Sequence, residues 1–289
     1  MANSSAEVPA ELTGSEFARF RDLIHMASGI ALGETKRELL ESRLSGRLRE
    51  LGLRGFSEYY ELVTSPGSSE TSRMINAVTT NLTSFFRERH HFDSLREWLQ
   101  GRAAPARIWS TACSSGEEPY SIAIAAAMAG RPGTRILATD IDSEVLAAAR
   151  RGVYRESAID ELPLAVRKLG FLLGKNAQRG QVKVKDEFRQ TVLFAPLNLA
   201  SAEWPRMKPM DAIFCRNVLI YFDPPTQREV VDRLVANLVP GGLLFLGHSE
   251  SQAAQHELLE GAGVTTYLRR AEPRSPALGD AWGEGRGHE

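Results

Sequence analysis

Residues 107–140 decide the architecture: Arg107-Ile-Trp-Ser-Thr-Ala-Cys113, then Ser114-Ser-Gly-Glu-Glu-Pro119, an Ala- and Ile-rich run to Ala129, and Arg135-Ile-Leu-Ala-Thr-Asp140. The short apolar runs bounded by turn residues read as buried strands, and the longer Pro119–Ala129 run reads as a helix. Pro119 suits a first helical turn, where its missing N–H would be unpaired anyway. Strand, helix, strand is the unit of a parallel sheet covered on both faces. Such sheets bind ligands beyond the carboxyl ends of their strands, which directs attention to Ser114–Glu118 and Asp140.

The alternation continues outward. Ser143–Arg151 reads as a helix, Met210–Cys215 as a strand, Gln227–Leu238 as a helix, Leu243–Gly247 as a strand and Gly263–Arg269 as the closing strand. One stretch breaks the rhythm: Gln181-Val-Lys-Val-Lys-Asp alternates apolar and polar residues, as do Phe188, Gln190 and Val192. Period two predicts a small antiparallel hairpin inserted over about 171–195, with Gly174 and Gly180 at its turn.

Upstream, Phe17, Phe20, Leu23 and Ile24, then Leu39, Leu40, Leu44, Leu48 and Leu51, recur at helical spacing, and a third short helix covers Ser57–Val63. Thr35 is placed to cap the second helix. Residues 15–72 therefore form a small helical domain, with 73–270 the α/β domain, entered by a helical lead-in from Ser72. Residues 1–14 and 271–289 read as tails, the latter rich in Pro and Gly with Trp282 as its one large apolar group. Lys36, Arg43 and Arg47 line one side of the second helix, which reads as a solvated face in preference to a docking face for an acidic partner.

A length of 289 residues suits two domains. With 43% hydrophobic and 25% charged residues the chain is neither disordered nor a rod. Lys+Arg number 35 against Asp+Glu 36, a net charge of -1, so nothing calls for a nucleic-acid partner. The polar start lacks the pattern of a signal peptide, and the apolar run SIAIAAAMAG is shorter than the about 20 residues that span a bilayer. The 2 cysteines, Cys113 and Cys215, exclude a disulfide framework, and no Cys/His cluster has zinc spacing. The expectation is a cytoplasmic protein without membrane insertion or metal.

At the ligand end, Gly116 allows close backbone approach and the following helix offers free N–H groups. Glu117 and Glu118 would repel a pyrophosphate, and G-x-G-x-x-G is absent, so a cationic or zwitterionic ligand fits better than a dinucleotide. The same acidic pair also complements the helix dipole. Asp140 is placed to accept hydrogen bonds from both ribose hydroxyls of an adenosine-type ligand, although it or Asp142 can equally cap the next helix. The segment Leu238-Val-Pro-Gly-Gly-Leu-Leu-Phe-Leu246 resembles the late part of Rossmann-like methyltransferases. With Glu118 and Asp140 it points to S-adenosylmethionine, whose sulfonium suits a site near carboxylates.

Four stretches make the resemblance specific: Thr80-Asn-Leu-Thr-Ser-Phe-Phe-Arg-Glu88, Cys113-Ser-Ser-Gly-Glu-Glu-Pro-Tyr-Ser121, Phe214-Cys-Arg-Asn-Val-Leu-Ile-Tyr-Phe-Asp223, and Pro240-Gly-Gly with Gly247-His-Ser-Glu250. In order, they resemble the chemotaxis protein methyltransferase (CheR) family, and the helical front and inserted hairpin match that family's layout. The resemblance covers about 15–270. It implies an α/β fold: a small N-terminal helical domain, then a Rossmann-like class I methyltransferase domain with an inserted antiparallel β-subdomain. It implies methyl transfer from S-adenosylmethionine to glutamate side chains on the cytoplasmic helices of chemoreceptors, leaving S-adenosylhomocysteine. A receptor C-terminal peptide held by the β-subdomain is a further implied partner. Asn81, Thr83, Arg87, Glu118, Asp140, Asn198, Leu199, Arg216 and Asn217 become cofactor contacts, and Arg87 and Tyr221 the pair closest to the transferred methyl. A methyltransferase with another acceptor, or a non-catalytic adaptor for receptor tails, remains an alternative.

A glutamate carboxylate, with an ordinary pKa of about 4.3, is ionised at neutral pH and needs no general base. The site has to align the reacting atoms and keep them dry. Arg87 can grip a carboxylate with two prongs, and Tyr221 can hydrogen-bond the attacking oxygen or wall the methyl. His90 and His91, on a helix expected to begin near Ser84, read as packing or surface residues, and His248 as the better site-lining candidate. Asp223-Pro-Pro-Thr226 reads as a loop leading into a helix.

Overall fold

The computed structural model describes residues 11–271. Trp282 and the expected C-terminal tail lie outside them, apart from Ala271. Residues 11–13 of the expected N-terminal tail belong to the fold: Leu12 is buried, and Thr13 caps α1 (Gly14–Ser28) in a reciprocal capping box with Glu16. Then follow α2 (Arg37–Leu51), α3 (Phe56–Thr64) and α4 (Glu70–Val78). Their apolar stripes bury Phe17, Phe20, Ile24, Leu40, Leu44, Leu48, Tyr59 and Met74 in one core. Leu39, expected in that stripe, is exposed.

Two expectations for α2 are corrected. Thr35 sits inside a 3-10 turn, Glu34–Lys36, and no side chain caps the helix. Its basic face is only partly solvated. Arg43 donates to the Val78 and Thr79 carbonyls at 2.6 and 2.5 Å, and Arg47 makes a two-pronged contact with Glu70 at 2.5 and 3.0 Å. These guanidiniums satisfy the carbonyls left open at the end of α4 and a buried acid at its start.

The helix α5 spans His90–Gln100, not from Ser84 as expected. Phe86 and Glu88 hold left-handed backbone angles, φ 56 and φ 57, which no helix can include. Next come β1 (Arg107–Ser110), α6 (Glu117–Met128), β2 (Arg135–Asp140) and α7 (Ser143–Arg151). An excursion of β3 (Val153–Arg155), α8 (Leu164–Gly170), β4 (Phe171–Leu173), β5 (Gln181–Val184) and α9 (Asp186–Arg189) leads to β6 (Val192–Pro196). The chain then continues through β7 (Met210–Cys215), α10 (Pro224–Ala236), β8 (Leu238–Leu246), β9 (Leu259–Gly263) and β10 (Thr266–Arg269).

The main sheet has the order β6-β2-β1-β7-β8-β10-β9, parallel from β6 to β8. Successive strand residues feed opposite cores. Ile108, Ala212, Phe214 and Phe245 pack with α5 and α6, while Trp109, Ile213, Cys215 and Leu244 pack with α10. The sequence reading needs three changes here. The closing strand is an antiparallel hairpin, β9 and β10. The residues Pro240-Gly-Gly lie within β8, since α10 has already ended at Ala236. The small sheet has three antiparallel strands, β3-β5-β4, and excludes Val192, which pairs in parallel with Ile136. Among the described residues no helix is long and apolar enough to cross a membrane.

Candidate active site

Strand order reverses between β2 and β7 around β1, and a cavity of about 540 Å³ opens beyond the carboxyl ends of these strands. Every residue singled out in the sequence as a cofactor or methyl-transfer contact borders it: Asn81, Thr83 and Arg87 from the loop before α5, Glu118 from α6, Asp140 from β2, Asn198 and Leu199 after β6, and Arg216, Asn217 and Tyr221 after β7.

Of Asp140 and Asp142, the latter takes the helix-capping role. Asp142 caps α7, accepting from the Glu144 and Val145 amides, and takes the Asn81 side-chain amide at 2.9 Å. Asp140 faces the cavity, held by the Ser114 amide at 2.8 Å and the Asp142 amide at 3.0 Å, one on each oxygen. Each oxygen keeps lone-pair capacity for a ligand. Burial pushes the Asp140 carboxyl above its ordinary range, against the pull of those amides.

Glu118 is no bare charge. Its Oε2 accepts from Arg216 Nη1 at 2.8 Å and its Oε1 from the Ser110 hydroxyl at 2.7 Å. Burial still raises its pKa, opposed chiefly by Arg216. The other Arg216 prong donates to the Arg87 carbonyl at 2.5 Å. Arg87 donates to the Leu82 carbonyl at 2.9 Å and lies between the left-handed Phe86 and Glu88. Ser114 and Asn217, also on the cavity wall, are left-handed too, at φ 47 and φ 57. Non-glycine residues in that region cost ~1–3 kcal/mol each and persist only where surrounding contacts over-determine them.

Several expectations are corrected at this end. Glu117 points away, accepting from the Ser115 hydroxyl at 2.7 Å, and does not border the cavity. Neither does Gly116, whose φ of 99 and close approach serve α7 packing: a Cβ there would stand 2.9 Å from both Ala149 Cβ and Tyr154 Oη. His248, the expected lining residue, lies outside the cavity beside His90, with ring centroids 5.2 Å apart. His91 is fully buried as a packing residue. Its Nε2 meets the Thr265 hydroxyl at 2.8 Å, and burial drives its pKa down to about 3, so it stays neutral.

Two contributors were missed. Buried Glu250 accepts four backbone N–H bonds: from Val218 and Leu219 on Oε1, each at 2.8 Å, and from Asn217 and Gly247 on Oε2, at 2.8 and 2.6 Å. It pins the segment that carries Arg216, Asn217 and Tyr221. It stands in Gly247-His-Ser-Glu250, so its motif was in view while its work was not. The second contributor is the helical domain, which forms one wall through Ile30, Ala31, Lys36 and Leu39. The Ala31 amide donates to the Tyr221 carbonyl at 2.8 Å, and the Asn198 side chain donates to the Ala27 carbonyl at 3.1 Å. Gly29, left-handed at φ 77, lets α1 end against Ala200 and Phe222, where a Cβ would stand 2.2 Å from Ala200 Cβ. No local pattern reveals contacts across such separations.

Residues 81–268 match the family model described as "CheR methyltransferase, SAM binding domain", and residues 15–79 match "CheR methyltransferase, all-alpha domain". The chain belongs to the CheR methyltransferase family. It is 46% identical over 263 residues to chemotaxis protein methyltransferase 2 of Pseudomonas aeruginosa, covering 88% of this chain and 93% of that protein. It is 47% identical over 259 residues to the chemotaxis protein methyltransferase of Klebsiella aerogenes, covering 88% and 89%. The Escherichia coli protein of that name is 44% identical over 260 residues, covering 89% and 91%.

S-adenosylmethionine is the cofactor of this CheR domain, and the cavity's donor set fits it. Asp140 supplies buried acceptors with unused lone pairs, of the kind ribose hydroxyls need, and Glu118 a carboxylate compatible with a cation. Arg87 brings a guanidinium to the cavity lining, a charge that suits a carboxylate-bearing ligand.

Proposed function

We propose that this CheR protein transfers the methyl group of S-adenosylmethionine to glutamate side-chain carboxylates on the cytoplasmic helices of chemoreceptors, and so acts in the cytoplasm. The observation that carries this reading is the convergence of Asp140, Glu118, Arg87 and Tyr221 on one cavity in a chain of this family. When bound, the cofactor supplies an electrophilic methyl on a sulfonium. Asp140 orients the nucleoside, and Asn81 helps fix the Asp142 cap beneath it. Glu118, clamped by Ser110 and Arg216, supplies negative potential toward the cationic end. Arg87 holds a carboxylate, with its backbone anchored by Arg216. Tyr221 stands on the same wall to steer the attacking oxygen. A glutamate acceptor is ionised already, so alignment and exclusion of water are what these residues contribute.

The small sheet supports a second contact with the receptor. A cleft of about 320 Å³ on it is lined by Val153, Leu172, Leu173, Lys175, Gln178 and Lys183. Leu172 and Leu173 are exposed there, and the two lysines suit the carboxylate end of a peptide. Incubation with methyl-labelled S-adenosylmethionine and receptor cytoplasmic fragments should give base-labile label released as methanol. Label that survives base would move the acceptor off carboxylate oxygen. Receptor fragments lacking their C-terminal peptide should be methylated more slowly, and equal rates would remove the cleft from recognition.

A further inference from the structure

Outside the cavity lining, three side chains converge, two from around the start of α5 and one from a segment far away in sequence. Glu88 precedes α5, His90 opens it, and His248 begins the 3-10 segment after β8. One ligand-type atom from each lies within 4.8 Å of the others. Left-handed Glu88 turns the chain sharply at this point, two residues before His90. Both Glu88 Oε2 and His90 Nε2 are buried without a hydrogen-bond partner. Buried polar atoms are almost always satisfied by protein or by water, so these two orphans leave ligating atoms free in one cluster. The nearest charged neighbour of Glu88 is Arg216 Nη2, at 3.5 Å, too far for a good hydrogen bond. His248 is exposed and leaves the outer side of the cluster open to solvent.

We propose that Glu88, His90 and His248 form a three-ligand site for a late first-row divalent cation of the zinc type, with its fourth position open to water. Two imidazoles and one carboxylate are a donor set such cations favour, whereas magnesium and calcium prefer oxygen alone. Ligand atoms about 2.0 Å from a tetrahedral metal stand roughly 3.3 Å apart, so rotamer adjustments of the exposed His248 bring the set into range. No spacing rule in the sequence reveals the site, because His248 lies 158 positions after His90. Occupancy would draw Glu88 away from Arg216, which also holds Glu118 and the Arg87 carbonyl, and so links the site to the methyl-transfer cavity.

The test is a titration of the full, tag-free chain with cobalt chloride, followed by its visible absorption, and with zinc chloride by calorimetry. Neither needs a methyl donor or acceptor, so the outcome is independent of the proposed function. One equivalent should bind, with intense tetrahedral cobalt bands. His248→Ala, at an exposed position, should lower the affinity at least tenfold with unchanged unfolding in the presence of a chelator. Glu88→Gln should lower it as well. Failure to saturate at one equivalent, or a loss under tenfold in His248→Ala, overturns the proposal.

Discussion

Glu250→Gln replaces one carboxylate oxygen by an amide NH₂ in a pocket that contains only donors. In the native chain each oxygen takes two backbone N–H groups. Whichever way the glutamine turns, one end serves its pair while the other presents N–H to N–H. Two buried amides thus lose their acceptor, at about 1–3 kcal/mol each, or about 2–6 kcal/mol in all if the segment stays in place. Measured against a total stability of about 5–15 kcal/mol, relaxation of the 216–221 segment is the cheaper response. Relaxation displaces Arg216 from Glu118 and moves Asn217 and Tyr221 on the cavity wall. The expected result is an unfolding free energy in urea lowered by at least about 1 kcal/mol, together with weaker S-adenosylmethionine binding by calorimetry. Stability and affinity both within about 0.5 kcal/mol of the native protein would refute the role assigned to Glu250.

Three other outcomes are expected. Asp140→Ala removes acceptors for the ribose and should weaken cofactor binding by ~1–3 kcal/mol, read by calorimetry on a variant with a native unfolding curve. Tyr221→Phe should lower kcat with little change in cofactor affinity, and unchanged turnover would return Tyr221 to a wall without chemical duty. The Glu70 carboxyl is held below its ordinary range by Arg47, so its pair contributes stability fully present above the unfolded value near about 4.3 and lost as pH falls through the lower folded value. In Glu70→Gln, acid unfolding should begin from a less stable protein and show a shallower dependence on pH below about 4.3.

Much of the fold was legible where local period and burial agree. The strands around Trp109, Leu137 and Ile213 are short apolar runs because both faces of the sheet are covered, and the cavity follows from where such strands end. The position of Asp140 at the cavity was legible for the same reason. Val192 misled because alternation specifies one wet face without naming the partner, and its partner is Ile136 of the main sheet. Arg43 and Arg47 looked like solvated charges because the open carbonyls of α4 and buried Glu70 lie in another helix. Glu117 and Glu118 are adjacent in sequence yet point apart, since successive helical positions differ by about 100°. Strain at Phe86 and Glu88, which delays the start of the expected helix to His90, has no signature in residue type.

The wall contributed by Ile30, Ala31 and Leu39 makes both halves of this chain part of one cavity. A graft that exchanges the front helices between relatives would also replace one wall of the cavity. Such a chimera needs the Gly29–Leu39 stretch transplanted together with its counterface at Ala200 and Phe222, or the two surfaces will no longer close on each other.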